Sequence, residues 1–129
     1  MTTPPIFNRD HYAVPSRELS AIGQRFPNVL LVGSGVANDT ALRELLPYCR
    51  EPRYVEGGLA LRPDAGTVVL RDVETLDGAA QADLARWIEQ TSGRVQLITL
   101  ATAPLFPLVE SGMFRPDLYY RLNVITITT

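Results

Sequence analysis

Apolar and polar positions alternate along this chain in blocks of two kinds. An unbroken apolar run occurs at Asn28-Val29-Leu30-Leu31-Val32, a second clear buried strand at Thr67-Val68-Val69-Leu70, and further strands at Val95-Gln96-Leu97-Ile98-Thr99-Leu100 and Val124-Ile125-Thr126-Ile127. Runs of this length without a polar face suit strands covered on both sides. Between them the period becomes helical. Leu19, Ile22 and Phe26 form one stripe behind Ser16, a candidate N-cap, and Pro27 ends that helix. Asn38-Asp39-Thr40 supplies capping residues for a short helix carrying Ala41, Leu42, Leu45 and Leu46 and closed by Pro47. Asp77 caps a helix over Ala80–Gln90, with Ala80, Leu84 and Ile88 inward and Gly93 as its stop. Arg53-Tyr54-Val55 reads as a brief strand before a turn at Gly57-Gly58, and Pro104–Ser111 and Pro116–Leu122 read as short helical turns.

Strands alternating with helices predict an α/β fold: a three-layer α/β/α sandwich around a mostly parallel sheet of about five strands. Ligands of such sheets sit at the carboxyl ends of the strands. The loops after Val32, Leu70 and Leu100 are therefore the places to examine.

The length of 129 residues suits one compact domain, and 46% hydrophobic with 20% charged residues is an ordinary globular balance. Residues 1–15, beginning Met1-Thr2-Thr3-Pro4-Pro5, read as a flexible N-terminal segment, and residues 16–129 as the core. A net charge of −2 argues against a basic nucleic-acid face, so direct DNA binding is not expected. No apolar run reaches membrane-spanning length and the N-terminus lacks the pattern of a signal peptide, so a cytoplasmic protein without membrane contact is expected. Cys49 and His11 are each alone, which excludes an internal disulfide and a cysteine-rich metal site; no metal is expected.

All twelve cationic residues are arginine. Schiff-base chemistry and a phosphate-binding lysine are thereby excluded from this polypeptide. The loop Gly33-Ser34-Gly35-Val36-Ala37-Asn38-Asp39-Thr40 runs from a strand into a helix, where backbone amides can take an anion, yet a lone Gly-x-Gly also serves a plain tight turn. Asp39 in that loop repels phosphate. Arg71-Asp72-Val73-Glu74 places acids at a strand end, where they hold magnesium, orient water, or merely pair with Arg71. In the last segment, Asp117 and Arg121 have the spacing of an (i, i+4) helix pair.

That segment, Phe114-Arg115-Pro116-Asp117-Leu118-Tyr119-Tyr120-Arg121-Leu122-Asn123-Val124, closely resembles the Phe-Arg-x-Asp-Leu-Tyr-Tyr-Arg-Leu-Asn-Val signature of sigma-54-dependent transcriptional activators, whose central domain is an AAA+ ATPase of the P-loop NTPase fold. Upstream, Ala65-Gly66-Thr67-Val68-Val69-Leu70-Arg71-Asp72-Val73 resembles the family's Walker B strand, Leu76, Gln81 and Leu84 fit the next element, and Val95–Thr102 falls at the sensor strand.

The departures from the family shape the expected function. The Walker A lysine position holds Asp39, followed by Thr40. Arg71 stands at the magnesium-binding aspartate, Asp72 at the catalytic glutamate, and Thr102 at the sensor asparagine. Only 33 positions separate Gly33 from Gly66, about half the family spacing, and the Gly-Ala-Phe-Thr-Gly-Ala loop that contacts sigma-54 has no counterpart, so that contact is not expected. A core without the helical lid, its sensor arginine or a helix-turn-helix is likewise expected.

Arg115 and Arg121 match the arginine fingers that the family presents to a neighbour's ATP. They serve either an active partner subunit or simply a turn whose Leu118, Tyr119 and Leu122 pack the fold. The resemblance thus implies a non-catalytic pseudo-ATPase with no cofactor, although the family uses ATP and magnesium. It would act as a regulatory or protein-interaction module in transcription control, partnered by an AAA+ activator subunit or another control protein. The alternatives are a minimal ATPase built on Gly33 and Asp72, or a receiver-like signalling domain with Asp72 as phosphoacceptor. Finally, the exchanged signs at Asp39 and Arg71 predict a partly buried ion pair between them, whose breakage would cost several kcal/mol.

Overall fold

A computed structural model describes residues 14–55 and 62–129 of the chain. The expected N-terminal flexible segment, His11 and the Gly57-Gly58 turn lie outside those residues, apart from Val14 and Pro15. The elements run in the order α1 (Ser16–Arg25), β1 (Val29–Val32), α2 (Gly35–Leu45), β2 (Arg53–Tyr54), β3 (Gly66–Leu70), α3 (Gly78–Gln90), β4 (Val95–Ala101), α4 (Phe106–Glu110), α5 (Pro116–Leu122) and β5 (Ile125–Thr128). The five strands form one sheet in the order β2-β3-β4-β1-β5, and every neighbouring pair is parallel. This is the predicted sandwich.

Side chains alternate across the sheet, and each face has its own core. Leu30, Val68, Leu70 and Leu97 pack with Leu84 and Trp87 of α3 and with Phe114, Leu118 and Leu122. Val29, Leu31, Val69, Ile98 and Leu100 face the other way, against Ile22 of α1 and Ala41, Leu42 and Leu45 of α2. Burial on both faces explains why these strands read as continuous apolar runs.

Several local expectations shift. Ser16 is the first helical residue of α1 rather than its cap, because Pro15 holds the extended N-cap position. The chain leaves α1 through Phe26 in the left-handed region, at φ 52° and ψ 50°, one residue before Pro27. In α3 the Asp77 cap is as expected, its carboxylate accepting from the Ala80 amide at 2.8 Å. Its inward face is centred on Gln81, Leu84, Ala85 and Trp87, whereas Ala80 and Ile88 are half-buried. The largest shift is in α2, which starts at Gly35 and is capped by Ser34, whose hydroxyl accepts from the Ala37 amide at 3.1 Å. Gly66 requires its missing Cβ: with φ at 104°, a methyl group there would collide with the Pro52 carbonyl.

Cys49 is buried beneath α2, with its thiol donating to the Leu45 carbonyl at 3.4 Å. Burial pushes its pKa up to about 12 against a weaker opposing pull from Arg53. The thiolate is the reactive form, so Cys49 is expected to resist iodoacetamide at neutral pH and to react only in denaturant, as mass spectrometry of the labelled chain would report. The sign for stability follows: the native state keeps the proton longer, so this contribution is present below pH 9 and is lost as pH rises toward about 12.

Candidate functional site

The carboxyl ends of β1, β3, β4 and β5 meet at one edge of the sheet, as predicted. Gly33 follows β1 directly, and its amide donates to the Ala101 carbonyl at the end of β4 at 3.1 Å. Asn38 is 1% exposed and faces inward from the first turns of α2. Its Nδ2 donates to the carbonyls of Gly33 at 3.1 Å and Ala101 at 3.0 Å, while its Oδ1 accepts from the Thr129 hydroxyl at 2.9 Å. The Thr129 amide in turn donates to the Val32 carbonyl at 2.8 Å. A Cβ on Gly33 would collide with the Thr129 side chain, so the loop and the residue after β5 are in close contact. Asn38 therefore joins β1, β4 and the end of β5 and is not a cap, which is why the helix begins earlier than its Asn-Asp-Thr sequence suggested.

On the outer surface of this edge, the Arg71 Nη1 donates to the Asp39 Oδ1 at 2.6 Å, so the two sign-exchanged positions do pair. Thr40, the next residue, back-bonds its hydroxyl to the Val36 carbonyl at 3.1 Å. The expected partial burial is corrected: the two side chains are 45% and 46% exposed. Water screens such a pair, and its coupling is expected to be about 1 kcal/mol or less rather than several. A double-mutant cycle on Asp39→Ala and Arg71→Ala, read by urea denaturation, checks this.

Asp72 is exposed, adopts φ 54° and makes no capping bond through its side chain. Thr102 is occupied by a residue that the motif comparison did not single out. Its hydroxyl donates to the Glu74 Oε2 at 2.6 Å and its amide to the same oxygen at 3.2 Å, while Glu74 Oε1 is buried without a partner among the described residues. The available signal was only an acid two residues beyond Asp72.

The signature residues lie elsewhere, between α3 and α5. Phe114 and Leu118 are core residues, and Gln81 locks the turn to α3: its Nε2 donates to the Leu76 and Met113 carbonyls, both at 2.9 Å, and its Oε1 accepts from the Arg115 amide at 2.8 Å. The expected Asp117–Arg121 pair does not form. Arg115 grips Asp117 with two hydrogen bonds, Nε to Oδ1 at 3.0 Å and Nη2 to Oδ2 at 2.8 Å, and Arg121 reaches Glu89 of α3 at 3.2 Å. The cause is backbone geometry, since Arg115 is the extended N-cap of α5 and folds its side chain across the first turn. The Arg115 hydrogen bonds hold the Asp117 carboxyl below the usual carboxylate range, against a smaller opposing effect of desolvation. Arg115, Asp117, Arg121 and Glu89 line one groove of about 290 Å³ together with Ala82, Ala85 and Arg86. None of the strand-edge residues lines it.

The layered parallel sheet has the fold of P-loop NTPase domains among solved structures. The P-loop NTPase domain of an E. coli sigma-54 transport activator superimposes with a TM-score of 0.63 at 23% identity, over 87% of this chain and 89% of that one. NtrX from Brucella abortus, solved in complex with ATP, gives 0.67 at 16% identity over 85% and 34%. The chain belongs to the sigma-54 interaction domain family, whose pattern matches residues 56–129.

Among curated relatives, the pathogenicity-locus regulatory protein HrpR of Pseudomonas syringae pv. syringae is 37% identical over 75 residues, 50% of this chain and 24% of that protein. The HTH-type transcriptional regulatory protein TyrR of Salmonella typhimurium is 29% identical over 112 residues, 78% of this chain and 21% of that protein. The aligned portions thus span about a quarter or less of these relatives. Among the described residues, no helix is long and apolar enough to cross a membrane.

Proposed function

We propose that this domain is a non-catalytic member of its family, a regulatory or protein-interaction module in transcription control whose nucleotide site has been replaced by internal contacts. The observation that carries the reading is the closure of the Gly33–Thr40 segment. A phosphate loop needs a stretch of free amides between strand and helix. Here α2 begins two residues after Gly33, the Gly33 amide is committed to Ala101, and the Ala37 amide to Ser34. Asn38 and Thr129 fill the space behind the turn, and Asp39 presents a carboxylate where the family has a lysine. Arg71 places a cation where magnesium would be held, and it is already paired with Asp39. These residues do not fit ATP with magnesium, and no chemical step is derived through them.

The proposed partner is an AAA+ activator subunit or another transcription-control protein. Arg115 and Arg121 line one surface groove, and their acidic partners Asp117 and Glu89 belong to the same chain. Direct DNA binding and contact with sigma-54 are not part of the proposal. A phosphate-release assay with magnesium and ATP is expected to give the background rate for both the natural chain and Asp72→Ala. Release that the natural chain supports and Asp72→Ala loses would establish the minimal-ATPase reading instead.

A further inference from the structure

At the opposite, amino-terminal end of the strands lies a cavity of about 190 Å³, away from Gly33, Asp39, Arg71, Asp72 and Thr102 and from the Arg115 turn. Its wall combines Phe26, Trp87 and Ile88 with polar side chains such as Asn28 and carries two cations, Arg25 and Arg50, with no acidic residue among the described residues that line it. We propose that this cavity binds a small monocarboxylate with a compact apolar body, its charge held by Arg50 and Arg25.

One feature points to an anion, and a second fixes where it would bind. The Arg50 guanidinium lies 4.9 Å from the centre of the Phe26 ring, and its one described hydrogen bond is a long one, 3.4 Å from Nη2 to the Gly93 carbonyl. Its Nε is buried with no hydrogen-bond partner among the described residues. An N–H that has lost water without gaining an acceptor carries a cost, and a carboxylate drawn to the open edge of the guanidinium offsets part of it. The second feature is Phe26 itself. A helix that leaves through a left-handed residue normally uses glycine there, because a side chain is strained. Here that residue is a phenylalanine, and its position sets the ring beneath Arg50.

Size and walls set the class of ligand. A cavity of about 150 Å³ holds one benzene molecule, so this one suits a four- to seven-carbon acid rather than a nucleotide. The aromatic and aliphatic wall residues give a compact apolar body a surface to pack on, which inorganic phosphate lacks, so phosphate is the control for a plain anion site. Trp87 is the only tryptophan of the chain, so its emission reports the cavity.

Isovalerate is the probe. Titration into the intact chain is expected to change the Trp87 emission saturably, with a Kd of about 1 mM for so small a ligand. Isovaleramide, of the same shape without charge, and inorganic phosphate are expected to give no saturable change. Arg50→Gln should weaken isovalerate about tenfold or more, and Arg25→Gln by a smaller factor. Thermal melts establish that each variant is folded. Should Arg50→Gln fail to fold, amide shifts of the natural chain decide: isovalerate must move Ser92 and Gly93 and leave the Arg115 turn unmoved. The proposal is overturned by no saturable response, by an equal response to the amide or to phosphate, by a folded Arg50→Gln chain that binds unchanged, or by shifts confined to another surface.

Discussion

Replacing Gln81 with leucine is expected to destabilise the domain by about 3 kcal/mol or more, a larger loss than any surface charge in the chain should give. Leucine fills a similar volume in the core but supplies no polar atoms. The Leu76 and Met113 carbonyls and the Arg115 amide would each lose the partner Gln81 now provides, and an unsatisfied buried polar group costs about 1–3 kcal/mol. Urea denaturation would show a lower midpoint at an unchanged slope, and the melting temperature should fall by roughly 10 °C. The same change should loosen the Arg115 turn, because its amide is anchored only through that glutamine among the described contacts. Gln81→Glu is a sharper probe of the same hub, since it keeps the shape and the acceptor but removes the donor to two carbonyls.

The second large effect is expected at Asn38. Its side chain satisfies the Gly33 and Ala101 carbonyls and receives the Thr129 hydroxyl, all at the junction of three strands. Asn38→Ala should cost about 2–4 kcal/mol by the same accounting, with part of the loss recovered if water enters the small cavity left behind. Hydrogen exchange should localise the change: the Gly33 and Thr129 amides should exchange faster while those of α3 keep their protection. An exchange profile altered uniformly along the chain would mean that Asn38 contributes only general stability and does not hold the turn closed.

The centre of the sheet was legible in the sequence because β1, β3 and β4 are buried on both faces and so read as apolar runs, whereas the expectation of a strand covered on both sides fails at β5, an edge strand with Thr126 and Thr128 exposed. The Asp77 cap and the Pro116 start of α5 were legible for an equally local reason: each depends on one residue type with a fixed backbone preference. The errors arise where a side chain has two compatible uses. Asn38 is a favoured capping residue, and nothing local shows that its amide turns inward to bridge strands 63 and 91 positions away in sequence. Asp117 had two arginines within reach, and helical spacing favoured Arg121. The extended backbone of Arg115, just outside the helix, decided for the other.

The candidate site was legible in part. The sign exchange at Asp39 and Arg71 located their pairing correctly, because the fold fixes both positions at the same strand edge. Its expected strength was too high, since burial depends on what surrounds the pair and the sequence carries no record of that. Glu74 beside Thr102 was missed because its role depends on the short turn at Val73–Thr75 bringing the carboxylate back over the end of β4. The Arg50 and Phe26 cavity has no sequence signature at all. Its residues come from three separate stretches of chain, 25–28, Arg50 and 87–97, and it emerges only when α1, α3 and the sheet are packed.

Isothermal titration of the intact chain with ATP and magnesium tests the central claim most directly. With the Gly33 turn closed by Asn38, Thr129 and Ala101, and Asp39 in place of a cation, the account predicts no saturable heat at millimolar nucleotide. Saturable binding at micromolar ATP that requires magnesium would contradict it.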